Sequence, residues 1–223
     1  MTLTIHHLCC SQSERIIWLC EELGIPYELK TYNRDPYLAP AEYKALHPAG
    51  TAPVIHDSEA DLTLAESAAC VEYICRKFGN SKLLLSPDDA EYAEFLYWFH
   101  WANGTFQPTL GRPLVIQAAG LDPSHPLAKG MSDRFKRSLS ALDERLRGNK
   151  WLAGSQFTAA DIMVMFSLTT MRYFYGYSLA GYDGILKYLQ RIGAREAYIR
   201  AMKKGDPEME LALGAEPPVM KAS

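Results

Sequence analysis

The sequence has no run of Lys or Arg longer than two, and its 23 basic residues are outnumbered by 26 acidic ones. The resulting net charge of −3 offers no footprint for nucleic acid, because phosphate binding needs a basic surface. No stretch approaches ~18 consecutive apolar residues, so no membrane-spanning helix is expected. The opening Met1-Thr2-Leu3-Thr4-Ile5 lacks a basic segment followed by a long apolar one, so no secretory leader is expected either. There is no Cys-x-x-Cys and no His-x-x-x-His, which removes the usual zinc spacings and leads to an expectation of no metal. The five cysteines are odd in number, with Cys9 and Cys10 adjacent. That pattern does not build a disulfide framework and suits a cytoplasmic protein.

What is present is globular: 48% hydrophobic residues in a chain of 223, room for one large domain or two small ones. Thr2 to Leu8 reads as a strand. Ser11-Gln12-Ser13-Glu14 has the form of a capping box. Apolar residues at Ile16, Ile17, Leu19, Cys20 and Leu23 share a helical face. Gly24 and Pro26 stop that helix, and Tyr27 to Tyr32 reads as a second strand. Pro40–Leu46 suggests a short helix. Thr51–Ile55 and Asp61–Leu64 form a hairpin across Asp57-Ser58-Glu59, and Glu66 to Phe78 a further helix, stopped by Gly79-Asn80-Ser81.

Beyond Ser86 only helical patterns appear: Asp89 to about Ala102, resuming past Gly104 to Ala118, then Leu127–Arg147, Ala159–Tyr173, Tyr182–Ile192 and Ala194–Met202. Pro108 and Pro113 should bend or interrupt the first. The expected fold is an α/β domain over 1–80, of βαβ-ββα order, a linker over 81–87, and an all-α domain over 88–223.

Three segments in this order resemble glutathione transferases across nearly the whole chain. They are His47-Pro48-Ala49-Gly50-Thr51-Ala52-Pro53-Val54-Ile55, Leu64-Ala65-Glu66-Ser67-Ala68-Ala69 and Phe157-Thr158-Ala159-Ala160-Asp161-Ile162. The opening His7-Leu8…Ser11…Arg15-Ile16…Trp18-Leu19…Glu21-Glu22-Leu23-Gly24 and the later Gln107-Pro108 are similar to a fungal and bacterial branch. The resemblance implies a thioredoxin-like first domain that binds glutathione. It implies a helical second domain that lines the pocket for a small apolar electrophile, and a homodimer.

The candidate site residues each carry two readings. Ser11 is a helix cap on its own chemistry. The resemblance makes it the donor to the glutathione sulfur, whose thiolate is the nucleophile. Cys10 is a small residue ending a strand, or, as in other branches, a thiol activated by the helix N-terminus for mixed-disulfide exchange. Alternation at the strand end places at most one of Cys9 and Cys10 at the site. Pro53 would be cis by resemblance, with the backbone of Ala52 pairing with the cysteinyl part of glutathione like an added strand. Glu66 and Ser67 fit capping, with Thr63-x-x-Glu66 as the box. They also fit the γ-glutamyl end, the Ser67 hydroxyl and backbone N–H groups holding its carboxylate and Glu66 its ammonium. Thr51 is too short for a salt bridge to the glycyl carboxylate, which leaves Arg15, Lys44 and His47 as cations. For Arg15 a helix-surface or interdomain salt bridge is the plainer role. The aromatic run Tyr97-Trp98-Phe99-His100-Trp101 should be mostly core. Asn103, Phe106, Leu110, Tyr173 and Tyr177 are the candidates for the electrophile pocket. Thr158 and Asp161 should cap a buried helix without catalysis, with Phe157 and Ile162 as a staple. Two other activities stay open: a glutathione-dependent thiol transferase using Cys10, and a glutathione-binding module without catalysis.

Overall fold

A computed structural model describes residues 2–35, 38–120, 122 and 124–218. The chain divides into two compact units. One holds the chain up to Leu85 together with Gly193–Glu210; the other holds Ser86–Ile192 and the chain from Leu211 on. A second domain running unbroken from residue 88 is therefore corrected: residues 193–210 return to the first unit.

The first unit begins as the sequence suggests, with β1 (Leu3–Leu8), α1 (Glu14–Leu23), β2 (Glu28–Tyr32), a short α2 (Ala41–Lys44), β3 (Val54–Asp57), β4 (Leu62–Ala65) and α3 (Ser67–Lys77). The strands form one sheet in the order β2-β1-β3-β4. β1 runs parallel to β2 and antiparallel to β3, and β3 runs antiparallel to β4. This is the βαβ-ββα order, a thioredoxin-like domain. The register fixes what lies at one end of the sheet. Leu8 pairs with Tyr32, His6 with Val54, and Val54 with Ala65. The turn after β1, the residues before β3 and the residues after β4 are thus brought together.

α1 is buried from Glu14 to Cys20. Its partner is α9 (Glu196–Gly205), the segment that returns to this unit. Ala197, Tyr198, Ala201, Met202 and Gly205 line the buried stripe of α9, at the spacing of a helix face. Trp18 meets Tyr198 edge-on at 4.9 Å. Arg195 grips Glu22 with two hydrogen bonds of 2.7 Å. Gly24 takes the left-handed conformation at φ 66° and closes α1, which only glycine does without a Cβ penalty.

The second unit is helical: α4 (Tyr92–Trp101), α5 (Gln107–Ala118), α6 (Pro126–Gly148), α7 (Ala159–Leu168) and α8 (Asp183–Gly193). Between α4 and α5, Ala102–Phe106 forms a wider π-type turn. Pro108 lacks an N–H and its ring would press on the carbonyl four residues back; the wide turn just before it accommodates that. The helix is altered there as expected, but α5 runs on through residue 113, so Pro113 does not end it. Trp98, Phe99 and Trp101 are core, whereas Tyr97 and His100 are exposed. Every residue of α7 is buried, and the Thr158/Asp161 capping box is formed. Phe157 meets the Trp151 ring at 5.1 Å. Among the described residues, no helix is long and apolar enough to cross a membrane.

Candidate functional site

The turn after β1 carries Cys9, Cys10, Ser11, Gln12 and Ser13. Consecutive bonds from Glu14, Arg15 and Ile16 N–H to the carbonyls of Ser11, Gln12 and Ser13 wind it tightly. Ser13, not Ser11, occupies the cap position of α1. The expected Ser11–Glu14 capping box is thus corrected. The tight turn gives the Glu14 N–H to the Ser11 carbonyl at 3.1 Å. The Ser11 hydroxyl instead accepts the Ser13 N–H at 3.2 Å and lies 2.7 Å from the Ser13 hydroxyl.

That contact is the first link of a chain. Ser13 Oγ lies 2.8 Å from His7 Nδ1, and His7 Nε2 lies 3.2 Å from Asp206 Oδ2. Ser13 and His7 are fully buried. Asp206 also accepts the Cys10 N–H at 2.9 Å through Oδ1. Asp206 follows α9 directly, which is how a residue near the end of the chain enters this site.

The same carboxylate adds to burial in setting the state of the neighbouring thiols. Cys10 has φ 51°, and its Sγ lies 3.8 Å from Asp206 Oδ1. Burial and then the Asp206 charge push its thiol up to about 12, against a smaller pull from Arg34. The expected activation of Cys10 by the helix N-terminus is corrected, because an anion here is desolvated beside another anion. Cys9 is raised for the same reasons and lies 3.5 Å from Asn33 Oδ1. Cys20, Cys70 and Cys75 are packing thiols at 0% exposure. Arg34 holds this turn from outside, donating to the carbonyls of Cys9 at 2.9 Å and Cys10 at 2.8 Å.

Next to this turn stand the other segments at the same sheet end. The Ala52–Pro53 peptide is cis, as the resemblance implied. Ala52 is half-buried, Pro53 buried and Thr51 exposed. Glu66, exposed, sits at the start of α3 with φ 74° and ψ 121°. The Thr63–Glu66 box is corrected, because Thr63 stays on the strand with its hydroxyl 3.3 Å from His56 Nδ1. A non-glycine residue at such a φ is strained, and such strain tends to cluster at ligand sites. Ser67, 2% exposed, accepts a hydrogen bond from Arg15 Nη1 at 3.1 Å and donates to Gln12 Oε1 at 3.3 Å.

Arg15 corrects a further expectation. It does not lie on the helix surface but is 0% exposed, joining Gln12 to Ser67. Burial pushes its pKa down to about 10, so it stays cationic beneath the start of α3 at neutral pH. Of the remaining cations, Lys44 is exposed and its stem runs beside Gly50. His47 accepts the Ala49 N–H at 3.1 Å.

The five candidates for the electrophile pocket divide. Phe106 and Leu110 are 0% exposed, and Tyr177 is buried with its hydroxyl donated to the Ser167 carbonyl at 2.6 Å. Phe106 stacks on Trp101 at 4.9 Å. These three are corrected to core residues. Asn103 and Tyr173 are partly exposed, and Asn103 Oδ1 has no partner among the described residues.

Sequence reasoning missed His7, Ser13, Arg34 and Asp206. His7 and Ser13 sat inside a recognised motif without an assigned role. Nothing in local spacing marks Asp206, since it is joined to His7 only by the packing of α9 on α1. The same packing brings a ring nitrogen of His7, Cys9 Sγ and an Asp206 oxygen within 4.8 Å of one another, a grouping that spacing alone did not show.

Comparison with known proteins bears on the whole arrangement. Residues 9–77 match the family model of the glutathione S-transferase N-terminal domain, and residues 106–196 that of its C-terminal domain. Glutathione S-transferase 3 of Schizosaccharomyces pombe is 30% identical over 214 residues, covering 91% of this chain and 87% of that protein. A glutathione S-transferase structure from Actinobacillus pleuropneumoniae superposes with a TM-score of 0.82 at 31% identity, covering 95% of this chain and 98% of that one. A glutathione transferase family member from Pseudomonas fluorescens, solved with two glutathione bound, shares the fold with a TM-score of 0.72 at 24% identity, covering 90% of this chain and 92% of that one.

Proposed function

Since the chain belongs to the glutathione S-transferase family, we propose that it transfers the glutathione thiolate to small apolar electrophiles and that Ser11 stabilises the sulfur anion. The observation that carries this reading is the sheet register. It places Ser11, the Ala52 backbone and the Glu66–Ser67 helix start at one end of one sheet. The γ-glutamyl carboxylate would sit on the N-terminus of α3, whose free N–H groups favour an anion. Arg15 adds a fixed positive charge from beneath through Ser67. Glu66 meets the γ-glutamyl ammonium. The Ala52 backbone pairs with the cysteinyl segment, and Lys44 takes the glycyl carboxylate in place of the short Thr51. The sulfur then lies at the β1–α1 turn, within reach of Ser11.

A free thiol titrates near ~8.5, and only its anion is strongly nucleophilic. A hydroxyl donor to the anion lowers that value, and holding the two reactants together removes much of the entropic barrier. The sulfur–carbon bond forms at the electrophile as its leaving group departs with the bonding pair. The reading includes a homodimer in the cytoplasm, and sedimentation of the full chain checks the dimer.

Ser11→Ala tests the mechanism. With a chloronitrobenzene acceptor, its pH–rate profile should shift toward the free-thiol value and its rate at neutral pH should fall by roughly tenfold or more. The parental rate and profile in Ser11→Ala would overturn the serine role. The elevated Cys10 thiol gives the alternative thiol-transferase reading no support.

A further inference from the structure

Thiolate formation leaves a proton to place, and the buried chain behind Ser11 has a place for it. We propose that His7 receives the thiol proton of glutathione through the hydroxyls of Ser11 and Ser13, with Asp206 as counter-ion. This rests on the Ser11 reading above and specifies how that hydroxyl becomes a donor.

The hydrogen-bond inventory allows two polarities of one chain. Asp206 is acceptor-only when ionised and is fixed by the Cys10 N–H. With Asp206 ionised and His7 neutral, Asp206 would take the Nε2 proton at 3.2 Å and Nδ1 would present a lone pair. Ser13 then donates to Nδ1 at 2.8 Å and Ser11 donates to Ser13 at 2.7 Å. In this polarity the hydrogen of Ser11 points inward and its oxygen can accept the S–H of a bound thiol. Three proton hops reverse the chain. The thiol gives its proton to Ser11 Oγ, Ser11 gives its own to Ser13 Oγ, and Ser13 gives its own to His7 Nδ1. The S–H bond breaks with its electron pair left on sulfur, and an N–H bond forms on His7. The imidazolium now donates to Ser13 and to Asp206, Ser13 donates to Ser11, and Ser11 donates outward to the thiolate. Net charge is conserved: thiol plus imidazole becomes thiolate plus imidazolium.

The shorter surrounding contacts fit both polarities, and the Leu8 carbonyl, at 3.4 Å, is the longest of the acceptors open to the Ser13 hydrogen. Ser13 Oγ also accepts the Leu8 N–H at 3.2 Å, and Ser11 Oγ the Ser13 N–H. Each oxygen therefore keeps one lone pair for the link that reverses. Among the described residues, Asp206 faces His7 after α9, the Cys9 and Cys10 thiols and Arg34 lie within electrostatic reach of Asp206, and Glu14 at the start of α1 acts on Cys10. Gly205 is also part of the design. A Cβ there would stand 3.1 Å from His7 Nε2 and 3.0 Å from Ile17 Cδ1, so glycine lets α9 deliver Asp206 to the imidazole. His7 touches no substrate atom in this scheme; it is a positioning and proton-holding residue.

The test is ¹⁵N-histidine NMR of the full chain near neutral pH, read beside the ultraviolet thiolate absorbance of bound glutathione. Glutathione should convert the His7 ring from neutral to imidazolium as the thiolate appears. S-methylglutathione, which binds without a thiol proton, should leave His7 neutral. Ser13→Ala should still bind glutathione, weakened only by the few-fold that lost thiolate formation costs, and should hold several-fold less thiolate at neutral pH. Thiolate formation with His7 still neutral, or an imidazolium already present before glutathione, overturns the relay and leaves the Ser11 reading standing. Glutathione bound without any thiolate overturns the Ser11 role, and the relay with it. Failure of both ligands to bind overturns the glutathione reading itself.

Discussion

Asp161 should stabilise the helical unit more in acid than at neutral pH, which is the reverse of the usual behaviour of a hydrogen-bonded carboxylate. Its side chain is fully buried and accepts from Leu152 N–H at 3.0 Å, Thr158 N–H at 2.9 Å and the Tyr188 hydroxyl at 2.9 Å. Burial outweighs these donors and raises the carboxyl from 3.8 to about 6. Above 3.8 the unfolded chain loses this proton while the folded chain keeps it. The contribution to stability is therefore complete below the unfolded value and is lost as pH rises through about 6. Two pKa units at ~1.4 kcal/mol each make about 3 kcal/mol, of which roughly 2 falls between about pH 4.5 and about pH 7.5. Asp161→Asn is neutral throughout and sets an amide NH2 against one of the donors, costing on the order of 1–3 kcal/mol. In urea unfolding followed by tryptophan fluorescence, its penalty should be larger by roughly 2 kcal/mol at the acidic pH. An equal penalty at both, or a larger one at neutral pH, would show that the carboxyl is ionised in the fold and that the donors outweigh burial. Conjugation per folded molecule should be unchanged, because α7 contributes to packing.

Further outcomes follow from the first unit. Cys10→Ser should conjugate within about twofold of the parental rate, and Cys10 should be alkylated at neutral pH roughly tenfold more slowly than free glutathione; rapid labelling would refute the elevated thiol. Glu66→Gly should leave thermal stability equal or higher, because glycine relieves a strained φ worth about 1–3 kcal/mol. The same variant should weaken glutathione binding by roughly tenfold in calorimetry, from the loss of a charge-assisted contact; parental affinity would remove Glu66 from the site. Lys44→Ala should raise the glutathione KM by about three- to tenfold with kcat unchanged, whereas an unchanged KM would reassign the glycyl end.

How much of this was readable in advance depends on how far apart the cooperating residues lie. The βαβ-ββα order, the helical second half, the cis peptide at Pro53 and the Thr158/Asp161 box follow from local pattern or motif. Buried Arg15 was misjudged because charge suggests exposure; only the fold shows Gln12 and Ser67 closing on its guanidinium. The three misplaced pocket candidates, Phe106, Leu110 and Tyr177, share a composition with true pocket residues, so only their burial in the fold separates the two roles. α9 read as one more helix of the second half, although its stripe of Ala197, Tyr198, Ala201, Met202 and Gly205 is matched to α1. With α9 misassigned, Asp206 could not be found, nor could the fate of Cys10.

One carboxylate thus acts oppositely on two sulfurs. At Cys10 the Asp206 charge is met almost directly, 3.8 Å from Sγ, and it disfavours a thiolate. At the proposed glutathione sulfur the same charge arrives through an imidazole and two hydroxyls, which convert it into a hydrogen-bond donor at Ser11. An anion a few ångströms away repels; an anion at the far end of a polarisable chain supplies the counter-charge for the proton that has to leave. The adjacent thiols, at first the more reactive-looking feature, are raised by burial first and then by the group that equips the serine. Asp206→Asn should separate the two effects in a single protein. It should lower the Cys10 pKa, seen as faster alkylation, and raise that of bound glutathione, seen as less thiolate at neutral pH. Movement of both pKa values in the same direction would mean that the carboxylate reaches the glutathione sulfur through space and not through His7.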